Sequence, residues 1–367
     1  MLLTRTDVVG SLLRPPELIE AQERHSKGEI DAEELGRAED RAVNEAIALQ
    51  EEAGLEVVTD GEMRRLSFQS QMTAAVEGFG DWDLNAFLWG EWHSEELGDL
   101  VVERPPIAVT GKLRRKRFLS AEEFTYARAR TDRVLKVTLP SPSLFANFWE
   151  PEQSTEAYAS PEDFLADVAR ILREEVDELV GLGATYIQLD APQYPLLVDA
   201  GYRDFYERRG WPADRWLDFG LELDNLVIGN HPGVTFGLHL CRGNQASRWL
   251  VSGGYDWLAK RIFPKVHAER LLLEYDDERS GDFEPLREVP DDKTVVLGLV
   301  TTKTARRETV DELAARIHEA ARYVALDRLA LSPQCGFATS VLGNALSVED
   351  ERAKLTTIAE TAAEVWG

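Results

Sequence analysis

Eight apolar runs of strand length recur along this chain, and most lead into a helical segment; no other feature narrows the fold so far. The runs cover residues 6–10, 56–59, 134–138, 184–190, 234–240, 270–274, 294–301 and 329–335. Helical patterns occupy 31–54, a stretch from Ser160, 213–228, 310–324 and a last stretch from Ser347. Asp31 with Glu34 three residues on forms a capping-box pattern, and Ser160-Pro161 places an N-cap before a first-turn proline. Phe164, Val168, Ile171, Leu172, Val176 and Leu179 then fall on one helical face. Strands that alternate with helices imply a parallel sheet, and eight such units imply an α/β fold of the (β/α)8 TIM-barrel type. An open doubly wound sheet is the alternative. The chain has neither a G-x-G-x-x-G at a first βα turn nor a P-loop.

The 367 residues are expected to form one domain, 1–367. The βα rhythm fails over residues 63–132, so that segment is expected to be an inserted cap after strand 2. It carries Phe79, Trp82, Phe87, Trp89 and Trp92, and a basic cluster from Lys112 to Arg117 that reads as a solvated face. No run of about 18 apolar residues predicts a membrane span, and the first residues lack a signal-peptide layout. Two cysteines make no disulfide framework, which fits a reducing cytoplasm and a metal or catalytic role. The net charge of −25 repels nucleic acid and anionic membranes. Such an acidic, lysine-poor surface suits a high-salt cytoplasm.

The chemistry concentrates where the apolar runs end. In the stretch from Thr235 to Asn244, His239 and Cys241 lie two apart and project to the same side of one strand. Alone, a His-x-Cys pair reads as a buried core pair. Imidazole and thiolate are also the ligands zinc prefers. The second cysteine, Cys335, lies in Ser332-Pro-Gln-Cys-Gly-Phe337, and Glu274 ends the run between them. Gly10/Ser11, Asp60/Glu62, Ser141, Asp190 and Thr301/Thr302 punctuate the other strand ends. Barrel enzymes place their reactive groups at that rim.

These residues carry a resemblance to the catalytic barrel of cobalamin-independent methionine synthase. In that family a His-x-Cys pair, a later Glu and a distant Cys before Gly bind one zinc ion; His239, Cys241, Glu274 and Cys335 match in order, type and setting. The match runs through Val9-Gly-Ser11, Asp60-Gly-Glu62 and Gln188-Leu-Asp190 and so covers nearly the whole chain. The resemblance implies a zinc-dependent methyl transfer to the thiol of homocysteine. It assigns the amino-acid carboxylate to Gly10 and Ser11, and the ammonium to Glu62 and Asp190. Methyl-folate is the donor it implies, and Trp149 a candidate to stack on it.

Three features depart from the two-barrel enzyme. Only one barrel is present. A polyglutamylated folate is polyanionic and would need a local patch such as Lys112 to Arg117. The stretch Val296 to Lys303 lacks the histidine that protonates the folate nitrogen in the family. The chain is closer to the short single-barrel paralogues, which include epoxyalkane–coenzyme M transferases. The alternatives are therefore alkyl transfer to another thiol, methyl transfer from methylcobalamin, or zinc storage without turnover. The oligomeric state stays open, with a homodimer among the options. His25, His93, His231, His267 and His318 read as surface or structural groups.

Overall fold

The computed structural model describes residues 2–80, 83, 86–87 and 89–367; Trp82 lies outside them. In chain order the strands are β1 (Val57–Val58), β2 (Val76–Phe79), β3 (Gly90–Trp92), β4 (Leu100–Val102), β5 (Val109–Arg115), β6 (Val134–Pro140), β7 (Tyr186–Asp190), β8 (Thr235–Leu240), β9 (Arg270–Glu274), β10 (Thr294–Val300) and β11 (Leu329–Pro333). Seven of them form one parallel sheet in the order β1-β6-β7-β8-β9-β10-β11. The sheet curls, with helices around it, into a (β/α)8 barrel.

The expected first strand, 6–10, is reduced to a single parallel bridge from Thr6 to Leu331. On its other side, side chains replace the backbone ladder. The Glu56 carboxylate accepts from the N–H of Arg5 at 2.5 Å and of Thr6 at 3.0 Å, while Thr6 Oγ1 accepts from Glu56 N. Thr59 Oγ1 donates to Gly10 O at 2.6 Å. Those carboxylate bonds satisfy the donors that a sheet would have used.

The helix Pro161–Gly181 starts as expected, with Ser160 Oγ accepting from Asp163 N, and its six named apolar residues are fully buried. Asp31 accepts from Glu34 N at the start of Ala32–Glu52. The helix expected over 310–324 ends earlier, at Ala320. Among the described residues no helix is long and apolar enough to cross a membrane.

The expected insertion, 63–132, is too wide at both ends. Arg65 is buried against the barrel, and the helix Ala121–Arg128 packs between the helices Ala32–Glu52 and Pro161–Gly181. That helix has only eight residues, and a buried Glu123 interrupts its apolar stripe, which hides its period. Between these limits lie two antiparallel pairs, β2 with β5 and β3 with β4. Phe79 packs on Phe145, Phe148 and Phe164.

The barrel interior holds a charged layer. Asp7 accepts from Lys136 Nζ at 2.8 Å and Tyr186 OH at 2.8 Å, and Arg270 lies 3.3 Å away. Lys136 also donates to Gln188 Oε1 at 2.7 Å, and Gln188 Nε2 donates to Val9 O and to Asp190 Oδ1. Each buried charge there has an opposite partner, without which burial would cost several kcal/mol, on the order of 3–5 per broken pair.

A candidate metal and thiol site

Register brings the chemistry-bearing strand ends together. Asp190 pairs with His239, His239 with Leu272, and Glu274 with Gly298, so β7, β8 and β9 end side by side. Cys335 follows β11, turned inward where Gln334 N donates to Val300 O. One ligand atom from each of His239, Cys241, Glu274 and Cys335 lies within 4.8 Å of all the others, and all four residues are buried. The sulfurs of Cys241 and Cys335 are 3.5 Å apart.

Each of these groups is oriented from behind. His239 Nδ1 lies 3.3 Å from Leu272 O, which can only accept, so Nδ1 carries the proton. Nε2 is buried and makes no well-formed hydrogen bond, although the Cys335 sulfur is beside it. Arg242 N donates to Glu274 Oε2 at 3.0 Å, and the Arg242 guanidinium donates to Glu274 O while lying over the Tyr255 ring. Gln334 Nε2 reaches Glu274 Oε1 at 3.4 Å. Gln334 is in turn set by Thr302, and Asn244 ties Thr302 to Gly336 O. Gly243 N donates to the Cys241 sulfur at 3.2 Å.

The electrostatics match a cation's cradle. Burial pushes the Glu274 carboxyl up to about 7, against the pull of Lys303. The Cys335 thiol is held well below its ordinary value by the hydrogen bond from Cys241, with His239 assisting. Cys241 keeps the shared proton and is held high by that same bond and by burial. Burial opposes charge on His239, but Cys335, Asp190 and Glu274 together raise it. Two sulfurs, an imidazole nitrogen without a partner and a carboxylate form a donor set that suits tetrahedral zinc.

Above this cluster opens a cavity of about 780 Å3, including its mouth. Gly10, Ser11, Glu62, Asp190, His239, Cys241 and Cys335 all line it. Glu62 adopts φ 57°, the left-handed region uncommon outside glycine, on a turn in which its N–H donates to Asp60 Oδ1. Its Oε1 accepts from Thr138 Oγ1 at 2.6 Å, and Arg65 donates to that same Thr138 oxygen while pairing with Glu123. Glu62 Oε2 is buried without a partner. Burial raises the Asp190 carboxyl to about 7, with His239 pulling it down and Glu62 pushing it up.

Other expected residues fall elsewhere. Trp149 does not line the cavity: it packs against Trp211, and its Nε1 donates to Tyr158 O. The aromatic walls are instead Phe68, Phe87, Trp89, Trp92 and Tyr202. Phe68 and Tyr202 lie in polar sequence surroundings, and their place shows only in the folded chain. The basic cluster stays outside the cavity. Lys112 lies over the Tyr158 ring, Arg114 pairs with Glu77, Arg115 with Glu174, and Arg117 donates to Gln71. The segment Val296 to Lys303 contributes nothing to the cavity lining, and Lys303 pairs with Asp276.

Comparison with known proteins agrees with this architecture. The family described as cobalamin-independent synthase, catalytic domain, matches residues 3–363. The uncharacterized protein YxjH of Bacillus subtilis is 34% identical over 365 residues, 99% of this chain and 94% of its own. A methionine synthase of Pyrococcus abyssi is 27% identical over 90% of this chain and 85% of its own. A crystal structure of a candidate vitamin-B12-independent methionine synthase from Listeria monocytogenes superposes with a TM-score of 0.74 at 27% identity, over 99% and 98% of the two chains. A B12-independent methionine synthase from Shewanella, solved with selenomethionine, shares the fold with a TM-score of 0.73 at 22% identity, over 100% and 98%. The chain is a methyltransferase and belongs to the cobalamin-independent methionine synthase family.

Proposed function

We propose that this methyltransferase acts on the thiol of homocysteine and that His239, Cys241, Glu274 and Cys335 hold a zinc ion. The single observation that carries the reading is the meeting of four ligand atoms within 4.8 Å, three of them from residues that line a cavity shared with Gly10, Ser11, Glu62 and Asp190. Bound zinc would supply a Lewis acid that lowers the pKa of a substrate thiol. The chain's own residues place the rest of the substrate. The N–H groups of Gly10 and Ser11 have no acceptor among the described residues, which suits a carboxylate. The unpartnered Glu62 Oε2 and the Asp190 carboxyl suit an ammonium. An arriving ammonium adds countercharge at Asp190, and so favours its ionised form.

The same pair of carboxylates argues against coenzyme M as acceptor, since that thiol carries a sulfonate and no ammonium. Metal storage without turnover would not need them. We further propose that residues 1–367 act as one barrel domain in the cytoplasm, with the β2–β5 segment covering the rim. Substituting Cys335→Ser tests the reading. We expect zinc stoichiometry to fall and methyl transfer to homocysteine to be lost. Full zinc with full turnover would defeat it.

A further inference from the structure

We propose that the methyl donor at this site is a small methyl sulfonium cation rather than a folate. The inference takes its acceptor, a thiol, from the function proposed above; the donor subsite is argued from its own walls.

The first argument is charge. Among the described residues no lysine or arginine lines the cavity, and the cluster from Lys112 to Arg117 is engaged elsewhere. A polyanionic tail finds no countercharge. Apart from Glu62 Oε2 and His239 Nε2, assigned above to the amine and the metal, the buried polar atoms left without partners on the described cavity walls are Asn147 Oδ1, Gln193 Oε1 and the Thr339 hydroxyl, of which the first two are acceptors as placed. Gln193 Nε2 already donates to Ser141 and Ser143, which fixes its oxygen as the free end. The same cavity is walled by aromatic side chains, among them Phe87, Trp89, Trp92 and Tyr202. The Trp89 and Tyr202 rings lie 5.1 Å apart and tilted by 48°, held by a hydrogen bond from Tyr202 OH to Trp89 O. Ring faces and lone oxygens attract a soft cation and repel an anion.

The second argument is the leaving group. An amine nitrogen leaving a methyl group must take up a proton. The titratable groups on the described walls are Glu62, Asp190, His239, Cys241, Cys335 and Tyr202. The first five are assigned to substrate amine and metal. Tyr202 already donates its proton to Trp89 O, and burial holds its phenol high. A sulfonium needs no acid. The thiol gives up its proton, and its sulfur lone pair forms the new S–CH3 bond. The donor C–S bond breaks with its electron pair on the departing sulfur, which leaves as a neutral thioether. One thiol and one sulfonium thus give two thioethers and one proton. Unlike charges cancel during the transfer, which a cavity with largely apolar walls favours.

The test uses the zinc-loaded protein, trimethylsulfonium bearing CD3 groups, and 5-methyltetrahydrofolate. Calorimetry without thiol reads donor binding; mass spectrometry with homocysteine reads CD3-methionine. We expect saturable sulfonium binding, weakened roughly 3- to 30-fold by Trp89→Leu as a lost cation–π face requires. Phe87→Leu gives a second, independent loss should Trp89→Leu not fold. Labelled methionine is expected from the sulfonium and no methionine from the folate. Turnover with the folate, or no sulfonium binding, overturns the proposal. Calorimetry with homocysteine alone separates the two readings. A protein that binds the sulfonium but not homocysteine refutes the acceptor and keeps the donor subsite.

Discussion

Gly10→Ala probes the amino-acid end of the site without touching the metal set. A Cβ at position 10 would stand 2.7 Å from Glu62 Oε1 and 3.0 Å from Thr138 Cγ2. Ordinary contact begins near 3.4 Å, so the carboxylate must retreat by roughly 0.7 Å in a wall packed to crystal density. Retreat is costly because that same oxygen holds the 2.6 Å hydrogen bond from Thr138, which Arg65 supports. A hydrogen bond to a charged group contributes about 1.5–3 kcal/mol, and the displaced Glu62 also loses its aim at the ammonium. Homocysteine affinity should therefore fall by about 10- to 100-fold, since 1.4 kcal/mol is one decade. Zinc content should stay at wild type, because the atoms nearest the new Cβ belong to Glu62 and Thr138 and not to the four proposed ligands. Isothermal calorimetry with homocysteine, alongside metal analysis of the same sample, checks both halves. A dissociation constant within twofold of wild type would show that Glu62 does not meet the substrate amine.

Further predictions follow from other parts of the fold. Arg65→Met removes the buried partner of Glu123 and leaves Glu62 with Arg14 as its remaining nearby cation, and should cost about 3–5 kcal/mol in urea unfolding. An unchanged midpoint would show that the pair is solvated. Burial raises the Glu351 carboxyl to about 8, against an unfolded value near 4.3. A raised pKa means that the folded chain holds the proton longer, so the stabilisation is full below about pH 4 and is lost as pH climbs through 8. Glu351→Gln keeps an acceptor for Leu13 N and should exceed wild type by about 1–3 kcal/mol at pH 9, with no gain at pH 4. Parallel pH profiles would refute this. Gln188→Leu removes the donor to Asp190 Oδ1 and Val9 O, and should raise the KM for homocysteine more than it lowers kcat. The opposite split would place Gln188 in the chemistry.

The sequence exposes the rim because its signals are local. Strand periodicity puts His239 and Cys241 on one side, and only two cysteines exist to be placed. The ladder from β7 to β11 then leaves Glu274 and Cys335 nowhere else to project. What supports the rim is not local. Arg65 reaches Glu123 across 58 residues, and Asn344 reaches Asn244 across 100. No window of sequence couples such positions. Trp149 misleads for the same reason: a tryptophan after a strand is equally suited to the cavity or to the layer behind it, and Trp211 on the far side decides. The short helix Ala121–Arg128 hides because its buried Glu123 is there to pair with Arg65 and not to pattern a face.

The two halves of the site rest on different kinds of support. His239, Cys241, Glu274 and Cys335 lie at or just beyond the ends of strands joined by parallel ladders, β7 through β11, with one register shift between Gly298 and Val300. Such ladders fix ligand positions before any ion arrives, which favours metal binding by lowering its ordering cost. Gly10, Ser11 and Glu62 lie instead at the seam beside β1, where a two-residue strand and a single bridge leave Glu56, Thr59 and Thr138 to hold the backbone and carboxylate by side-chain bonds. Side-chain bonds can re-form around a different ligand more cheaply than a ladder can shift register. Within this architecture the proposed metal set is the fixed part and the proposed substrate end the adjustable part. Selection for a new thiol should therefore change residues along the seam, while His239, Cys241, Glu274 and Cys335 stay as they are.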